Sequence, residues 1–164
     1  MKHFPCFIRA LASVLLFAAI LGLPGCGAQS EQRHPRYQRA LRLRDEGKKV
    51  MFVSNTSSRS KAKCLQVFEQ MGVDVDPGEV FIASECAARY VATESPGALT
   101  YVLGSAGLLD EARSAGLDAR EPSDRHPERA DYLIVGKDND LNFIRLTCAL
   151  RVLKMGARFV VVNC

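Results

Sequence analysis

The sequence has few of the side chains that build a metal centre or a nucleic-acid-binding surface. Of its three histidines, only His34 and His126 lie beyond the apolar N-terminal region. Its six cysteines include no Cys-x-x-Cys pair, and Asp138 and Asp140 have no third carboxylate beside them. Because metal ligands have to be clustered, we predict no metal site from these residues. The net charge of +4 is modest and forms no run or stripe, which predicts no nucleic-acid partner.

Acidic residues are missing from the beginning of the chain, where none occurs before Glu31. A basic start precedes an apolar run from Ala10 to Leu23, and small residues follow that run. This pattern is typical of a secretory signal, and the run is shorter than the ~20 residues that span a bilayer. We therefore interpret residues 1–30 as a signal-like leader.

The end of this leader has several interpretations. Leu-Pro-Gly-Cys at 23–26 resembles a bacterial lipoprotein box, in which Cys26 would be lipidated. We expect contact with a membrane only through the leader, if the leader is retained or is lipidated at Cys26. Cleavage after Ala28, an organelle transit peptide, and an unrelated leader joined to a cytosolic domain are alternatives. Cys64 and Cys148 fall in helical patterns, and free buried thiols fit a reducing compartment. The leader thus favours export or lipid anchoring, whereas the cysteines favour the cytoplasm or an organelle.

Downstream of the leader, apolar segments alternate with helical patterns. The predicted strands are 48–53, 80–83, 99–103, 131–135 and 159–162. The predicted helices are 37–49, 57–72, 84–92, 104–116 and 141–155, the last with Phe143, Leu146, Leu150 and Leu153 on one apolar face. Strands separated by helices form parallel βαβ units. We therefore predict an α/β fold that is doubly wound around a mainly parallel sheet.

A cluster of small hydroxyl and amide side chains follows the first predicted strand. It occupies 54–58, and a helical pattern with Arg59 and Lys61 in its first turn comes next. Such a turn offers backbone N–H groups, hydroxyls and positive charge to a phosphate. The simpler alternative is that Ser57 or Ser58 only caps the helix and that the basic residues are solvated.

Five segments of the chain resemble, in order, parts of one protein family. They are Val-Ser-Asn-Thr-Ser-Ser-Arg-Ser at 53–60, Val-Phe-Ile-Ala-Ser at 80–84, Tyr-Val-Leu-Gly at 101–104, Val-Gly-Lys-Asp-Asn-Asp at 135–140 and Gly-Ala-Arg-Phe-Val-Val-Val-Asn at 156–163. They are similar to haloacid dehalogenase (HAD) superfamily phosphatases, most closely the phosphoglycolate/4-nitrophenyl phosphatase branch, whose second motif resembles the first segment. The resemblance covers residues 37–164. It implies an incomplete HAD-like core at 31–84 and part of an inserted α/β cap at 85–164.

The resemblance also implies a site and an activity. In that family Ser54 would hydrogen-bond the transferring phosphoryl group and Asn55 would add a backbone N–H, and such donors stabilise the charge of the transition state. We therefore interpret Ser54 and Asn55 as substrate-binding residues. The implied reaction is Mg²⁺-dependent hydrolysis of small phosphate monoesters such as phosphoglycolate or 4-nitrophenyl phosphate. The expected partner is thus a small phosphorylated metabolite, and a homo-oligomer is left open.

The sequence departs from this family at the catalytic residues. The family's nucleophile is an Asp in a motif that precedes the second one, but the first Asp here is Asp45, in the helical pattern before the strand. The family's later Lys and acidic Mg²⁺ ligands have no counterpart either. Phosphoryl transfer depends on these groups together, so we predict an inactive chain without catalytic or metal-binding residues. The alternatives are a non-catalytic exported or lipid-anchored protein that binds phosphorylated ligands, and a degenerate binding or regulatory subunit.

Overall fold

A computed structural model describes residues 35–123 and 126–163 of the chain. The signal-like leader at 1–30, with its lipoprotein box and Cys26, lies outside the described residues. Within the two described ranges, no helix is both long enough and apolar enough to span a membrane.

Helices and strands alternate along the described chain. The helices are α1 (Pro35–Asp45), α2 (Lys61–Gln70), α3 (Ala83–Glu94), α4 (Ala106–Ser114) and α5 (Phe143–Lys154). The strands are β1 (Phe52–Ser54), β2 (Val80–Ile82), β3 (Leu99–Leu103), β4 (Asp118–Arg120), β5 (Tyr132–Val135) and β6 (Arg158–Val161). Every predicted element is present, although most of the ends differ by a few residues.

The described strands pair in parallel and form two sheets. β1 and β2 form a two-stranded sheet, in which Ser54 lies opposite Ile82. The other sheet has the order β4-β3-β5-β6, so β3 and β5 are its central strands. The α/β class with parallel pairing, predicted from the sequence, is confirmed.

Two strands differ from the prediction for reasons of length and exposure. β1 begins later than predicted, at Phe52, because its partner β2 is only three residues long. The preceding Val50 is buried without being part of the strand. β4 is absent from the prediction because it has one buried residue, Ala119, between the exposed Asp118 and Arg120. Three residues with two charges are too few to show the alternation that identifies a strand.

Helices cover both faces of the four-stranded sheet. Val102 of β3 packs in a cluster with residues of α3 and α4, whereas its neighbour Leu103 packs in a second cluster with residues of α5. This is the doubly wound arrangement, in which alternate side chains of a central strand enter different cores. A separate cluster packs α1 and α2 against β1 and β2, with the rings of Phe52 and Phe68 4.9 Å apart. Each fully buried side chain of this size stabilises the fold by about 1.5–3 kcal/mol.

The apolar face predicted for α5 is largely exposed. Phe143 is 80% exposed, Leu146 43% and Leu150 53%. The helix instead buries Cys148 and Val152 completely against the sheet. Smaller side chains let the helix approach the strands closely, and the larger ones are left on the outer side.

Candidate functional site

Ser54 is the last residue of β1 and begins the polar segment after this strand. It is half-buried, and the following Asn55 is exposed. We call residues 54–59 the hydroxyl bend, because this segment leads from the end of β1 toward α2 and carries four hydroxyl side chains, those of Ser54, Thr56, Ser57 and Ser58. Among the described residues, the Ser54 hydroxyl has no hydrogen-bond partner. This hydroxyl is therefore available to donate to a ligand.

The carboxyl ends of the second sheet lie against the hydroxyl bend. A polar residue shortly after each of β3, β5 and β6 contacts it. The Ser105 hydroxyl donates to the Ser57 carbonyl at 3.1 Å, and the Lys137 backbone N–H donates to the Ser57 hydroxyl at 3.1 Å. The Asn163 amide donates to the Asn55 carbonyl at 3.0 Å. The carboxyl ends of parallel strands are where α/β proteins place their ligands, and here the ends of both sheets meet at one bend.

Helices α3 and α4 hold the other side of the hydroxyl bend. Ser84 at the start of α3 is fully buried, and its hydroxyl donates to the Arg59 carbonyl at 3.1 Å. Its backbone N–H donates to the Thr56 carbonyl at 3.2 Å. Gly107 of α4 lies so close that a Cβ on it would be 2.6 Å from the Arg59 carbonyl carbon. The backbone of the bend is thus fixed from both sides.

The residue that caps α2 is Ser60, so the prediction of Ser57 or Ser58 is wrong. The Ser60 side chain accepts the Lys63 N–H at 3.4 Å. Ser57 is occupied by the contact with Lys137 described above, and Ser58 donates its N–H to the Thr56 hydroxyl oxygen at 3.5 Å. The helix begins later than the sequence suggests because these residues build the bend first.

The N-terminus of α2 is already occupied by a carboxylate of the protein. The Lys61 N–H donates to Glu111 Oε1 at 2.5 Å. Glu111 lies on α4 and is only 9% exposed, and its burial raises the pKa of the carboxyl group, with the charge of Glu85 adding to the shift. Two of the first N–H groups of this helix, those of Lys61 and Lys63, are therefore unavailable to a ligand. A phosphate would have to be held by the bend rather than by the helix end.

The two basic residues next to the bend behave differently. The Lys61 ammonium contacts both carboxylate oxygens of Glu85 at 3.0 and 3.1 Å, so its charge is compensated. Arg59 is exposed, and among the described residues its guanidinium has no ion pair. Of the two residues suggested by the sequence, only Arg59 is free to attract an anion.

The carboxylates around the bend already have hydrogen-bond partners within the protein. Glu85 pairs with the Lys61 ammonium, and Asp138, which follows Lys137, accepts a hydrogen bond from Arg145 Nε at 2.9 Å. Glu111 accepts the backbone N–H of Lys61. In residues 35–123 and 126–163, no group of three His, Cys, Asp or Glu side chains is placed to hold a metal ion. Magnesium needs several oxygen ligands in a near-octahedral arrangement. These residues do not fit the Mg²⁺ that the resemblance implies.

Comparison with known proteins decides the family. Residues 25–118, more than half of the chain, match the family model of the haloacid dehalogenase-like hydrolases. The chain belongs to this family. The resemblance noted in the sequence is confirmed, and so is the similarity to the p-nitrophenyl phosphatase branch.

Three relatives illustrate how far the similarity extends. A solved p-nitrophenyl phosphatase from Archaeoglobus fulgidus is 35% identical, with a TM-score of 0.71, over 78% of this chain and 47% of its own. An acid sugar phosphatase from Staphylococcus haemolyticus is 29% identical over 69% of this chain and 41% of its own length. A glycerol phosphate phosphatase from Mycobacterium tuberculosis, solved in complex with calcium, shares the fold at 23% identity and a TM-score of 0.69, over 90% of this chain and 42% of its own. The chain thus spans less than half the length of each of these relatives.

Several residues of the site are not identified by the sequence interpretation. These are the residues that hold the bend rather than form it: Ser84, Ser105, Glu111, Lys137 and Asn163. A signal for four of them exists, because Ser84, Ser105, Lys137 and Asn163 each follow a predicted parallel strand within a few residues. Glu111 gives no such signal, since an acidic residue in a helical pattern is normally solvated.

Proposed function

We propose that this chain carries the phosphate-holding part of a HAD-type active site, and that its ligand is a small phosphorylated metabolite. The observation that supports this most is the position of the hydroxyl bend between the carboxyl ends of two parallel sheets. In this proposal 31–84 belongs to the core domain and 85–164 to the cap domain. The names of the relatives suggest sugar phosphates, glycerol phosphate and 4-nitrophenyl phosphate as candidate ligands.

The chemistry assigned to the bend is donation of hydrogen bonds to phosphoryl oxygens. The Ser54 hydroxyl is available for this, and the Asn55 backbone adds a second donor on an exposed segment. Fixed donors stabilise the charge on the phosphoryl oxygens without having to reorganise when the ligand binds. Arg59 supplies positive charge at the same bend.

We further propose that these residues bind the phosphate monoester without hydrolysing it. Hydrolysis by the family's route needs a carboxylate nucleophile, and the carboxylates described next to the bend already accept hydrogen bonds within the protein. Glu85 accepts from the Lys61 ammonium, Glu111 from the Lys61 backbone N–H and Asp138 from Arg145. Asp45, the first aspartate of the chain, lies at the end of α1 and not after a strand. This favours the alternative of a phosphate-ligand-binding protein. Whether it is exported or lipid-anchored is decided by the N-terminal residue of the mature protein.

Calorimetric titration with inorganic phosphate tests the proposed site. Replacement of Ser54 by alanine removes a hydrogen bond to a charged group, which is worth about 1.5–3 kcal/mol, so we expect affinity to fall by about ten- to a hundredfold. Ser114→Ala, on the exposed end of α4, is the matched control and leaves the affinity unchanged. Equal affinity of the Ser54→Ala variant and the unmodified chain would show that the phosphate is held elsewhere.

A further inference from the structure

The exposed large apolar side chains are concentrated in one part of the described chain. Nine of them occur among the described residues, and eight of the nine lie between positions 141 and 161. These eight are Leu141, Phe143, Ile144, Leu146, Leu150, Met155, Phe159 and Val161, and the ninth is Tyr90 of α3. Single exposed apolar residues are ordinary on a protein surface, whereas a contiguous group of them indicates an interaction surface.

The outer side of α5 carries much of this group as a continuous ridge. Phe143, Leu146 and Leu150 are spaced by three, four and seven residues, so they lie on one side of the helix. Cys148 and Val152 are on the opposite side and are buried against the four-stranded sheet. A helix that lies on a sheet in this way presents a convex surface to its surroundings rather than a groove.

The edge strand β6 continues the apolar surface beside α5. Val160 packs in the cluster with α3 and α4, so its neighbours Phe159 and Val161 point to the α5 side of the sheet. Phe159 is 57% exposed and Val161 41%. The apolar surface therefore extends from the helix onto the sheet.

The same part of the chain carries positive charge and no negative charge. Residues 141–164 contain four of the 22 Arg and Lys residues and none of the 18 Asp and Glu residues, so the net charge of +4 resides in this segment. Arg145 is paired with Asp138 and Glu121. Lys154 comes four residues after Leu150, on the same side of α5, and forms no ion pair within the described part of the chain. A second copy of the chain would bring like charges together here, whereas an anionic surface compensates them.

We propose that the α5 ridge, formed by Phe143, Leu146, Leu150 and Lys154, binds the surface of a membrane that contains anionic lipids. The Phe and Leu side chains enter the boundary between headgroups and acyl chains, and the long side chain of Lys154 keeps its ammonium group among the lipid phosphates. The helix lies parallel to the surface and does not cross the bilayer. This contact is separate from the one expected of the signal-like leader, and it does not depend on the proposed phosphate site.

Tryptophan fluorescence tests this contact, because the chain contains no tryptophan and a single introduced one reports only on its own surroundings. Phe143→Trp places the reporter on the α5 ridge. Tyr90→Trp is the matched control, at an exposed aromatic residue of α3 on the other side of the sheet. The full chain of each variant is titrated with vesicles made of equal parts of phosphatidylglycerol and phosphatidylcholine. We expect the emission of the Phe143→Trp variant to shift to shorter wavelength and that of the Tyr90→Trp variant to stay unchanged.

Second substitutions in the Phe143→Trp protein separate the apolar and the charged contributions. Lys154→Gln removes one charge from the anionic surface, so we expect vesicle binding to weaken by about fivefold. Lys49→Gln, at an exposed lysine before β1, is the control and leaves binding unchanged. Leu150→Gln removes an apolar side chain that would be buried in the membrane, and we expect binding to weaken by about tenfold or more.

Three results overturn the inference. If the protein sediments with the vesicles while the emission of the Phe143→Trp variant does not change, the leader alone binds the membrane. If that emission already lies at short wavelength without vesicles and depends on protein concentration, a second copy of the chain covers the ridge. Equal binding to vesicles of phosphatidylcholine alone would show that lipid charge has no part in the contact.

Discussion

At the scale of single residues, Glu111 holds the helix that follows the hydroxyl bend. Its carboxylate on α4 accepts the Lys61 N–H at the start of α2. Burial raises the pKa of this carboxyl group from its ordinary value of 4.5. The folded chain therefore binds the proton more strongly than the unfolded chain does. The stability that this proton contributes is complete below the ordinary pKa and is lost as the pH rises through the raised value.

Replacement of Glu111 by glutamine tests this pH dependence. The amide oxygen accepts the same hydrogen bond without a buried charge, so the variant lacks the loss of stability with rising pH. We expect the free energy of unfolding of Glu111→Gln to increase relative to that of the unmodified chain as the pH rises from about 4 to about 8. Urea unfolding of both proteins across this range measures the difference. The same change of unfolding free energy with pH in both proteins would contradict the raised pKa assigned to Glu111.

Asp118 provides a control of opposite sign. The side-chain hydrogen bonds from Arg120 lower the pKa of its exposed carboxyl group. Its contribution to stability is therefore present above its ordinary pKa and is lost as the pH falls through the lowered value. Asp118→Asn removes stability at neutral pH rather than in acid, which separates a specific effect of Glu111 from a general effect of removing a negative charge.

At the scale of elements, the close packing of α4 on the hydroxyl bend is the feature most open to a test. A glycine-to-alanine substitution at an ordinary helix position stabilises a protein by about 0.5–1 kcal/mol. Here the added Cβ would lie 2.6–2.7 Å from backbone atoms of Arg59 and Ser60. We expect the variant to be destabilised by about 1–3 kcal/mol, as in other overpacked sites, and to bind phosphate more weakly because the bend has to move.

Thermal unfolding and phosphate titration of Gly107→Ala measure the two effects. Ser114→Ala in the same helix is the control, and it changes neither the unfolding temperature nor the affinity. A Gly107→Ala protein that is more stable than the unmodified chain and binds phosphate equally well would show that the bend and α4 are not in contact.

Also at the scale of elements, periodicity predicts the order of helices and strands but not which side of a helix is buried. The prediction gave α5 an apolar face through Phe143 and Leu150, yet the sheet is contacted by Cys148 and Val152. A hydrophobic pattern records which residues are apolar, whereas packing against a sheet depends on which of them are small enough to fit. β4 is missing from the prediction for a different reason, because its one buried residue, Ala119, lies between two exposed charged residues.

At the scale of the whole molecule, the candidate site depends on contacts between distant parts of the chain. Ser57 and Lys137 are 80 residues apart, and Asn55 and Asn163 are 108 apart. Ser54 and Asn55 are identifiable from the local pattern and from the family resemblance, because a hydroxyl-rich turn after a strand is contiguous in sequence. The sequence does not show that two sheets face each other across that turn, since no local pattern specifies how two groups of elements pack on each other.

Phosphorus NMR of the chain mixed with 4-nitrophenyl phosphate and Mg²⁺ tests the central claim most directly, because it reports binding and hydrolysis together. We predict that the signal of the ester broadens or shifts in the presence of the unmodified chain, stays sharp with Ser54→Ala, and gives no inorganic phosphate with either. Release of inorganic phosphate that Ser54→Ala abolishes would contradict the account, because it would require a nucleophile beside the hydroxyl bend.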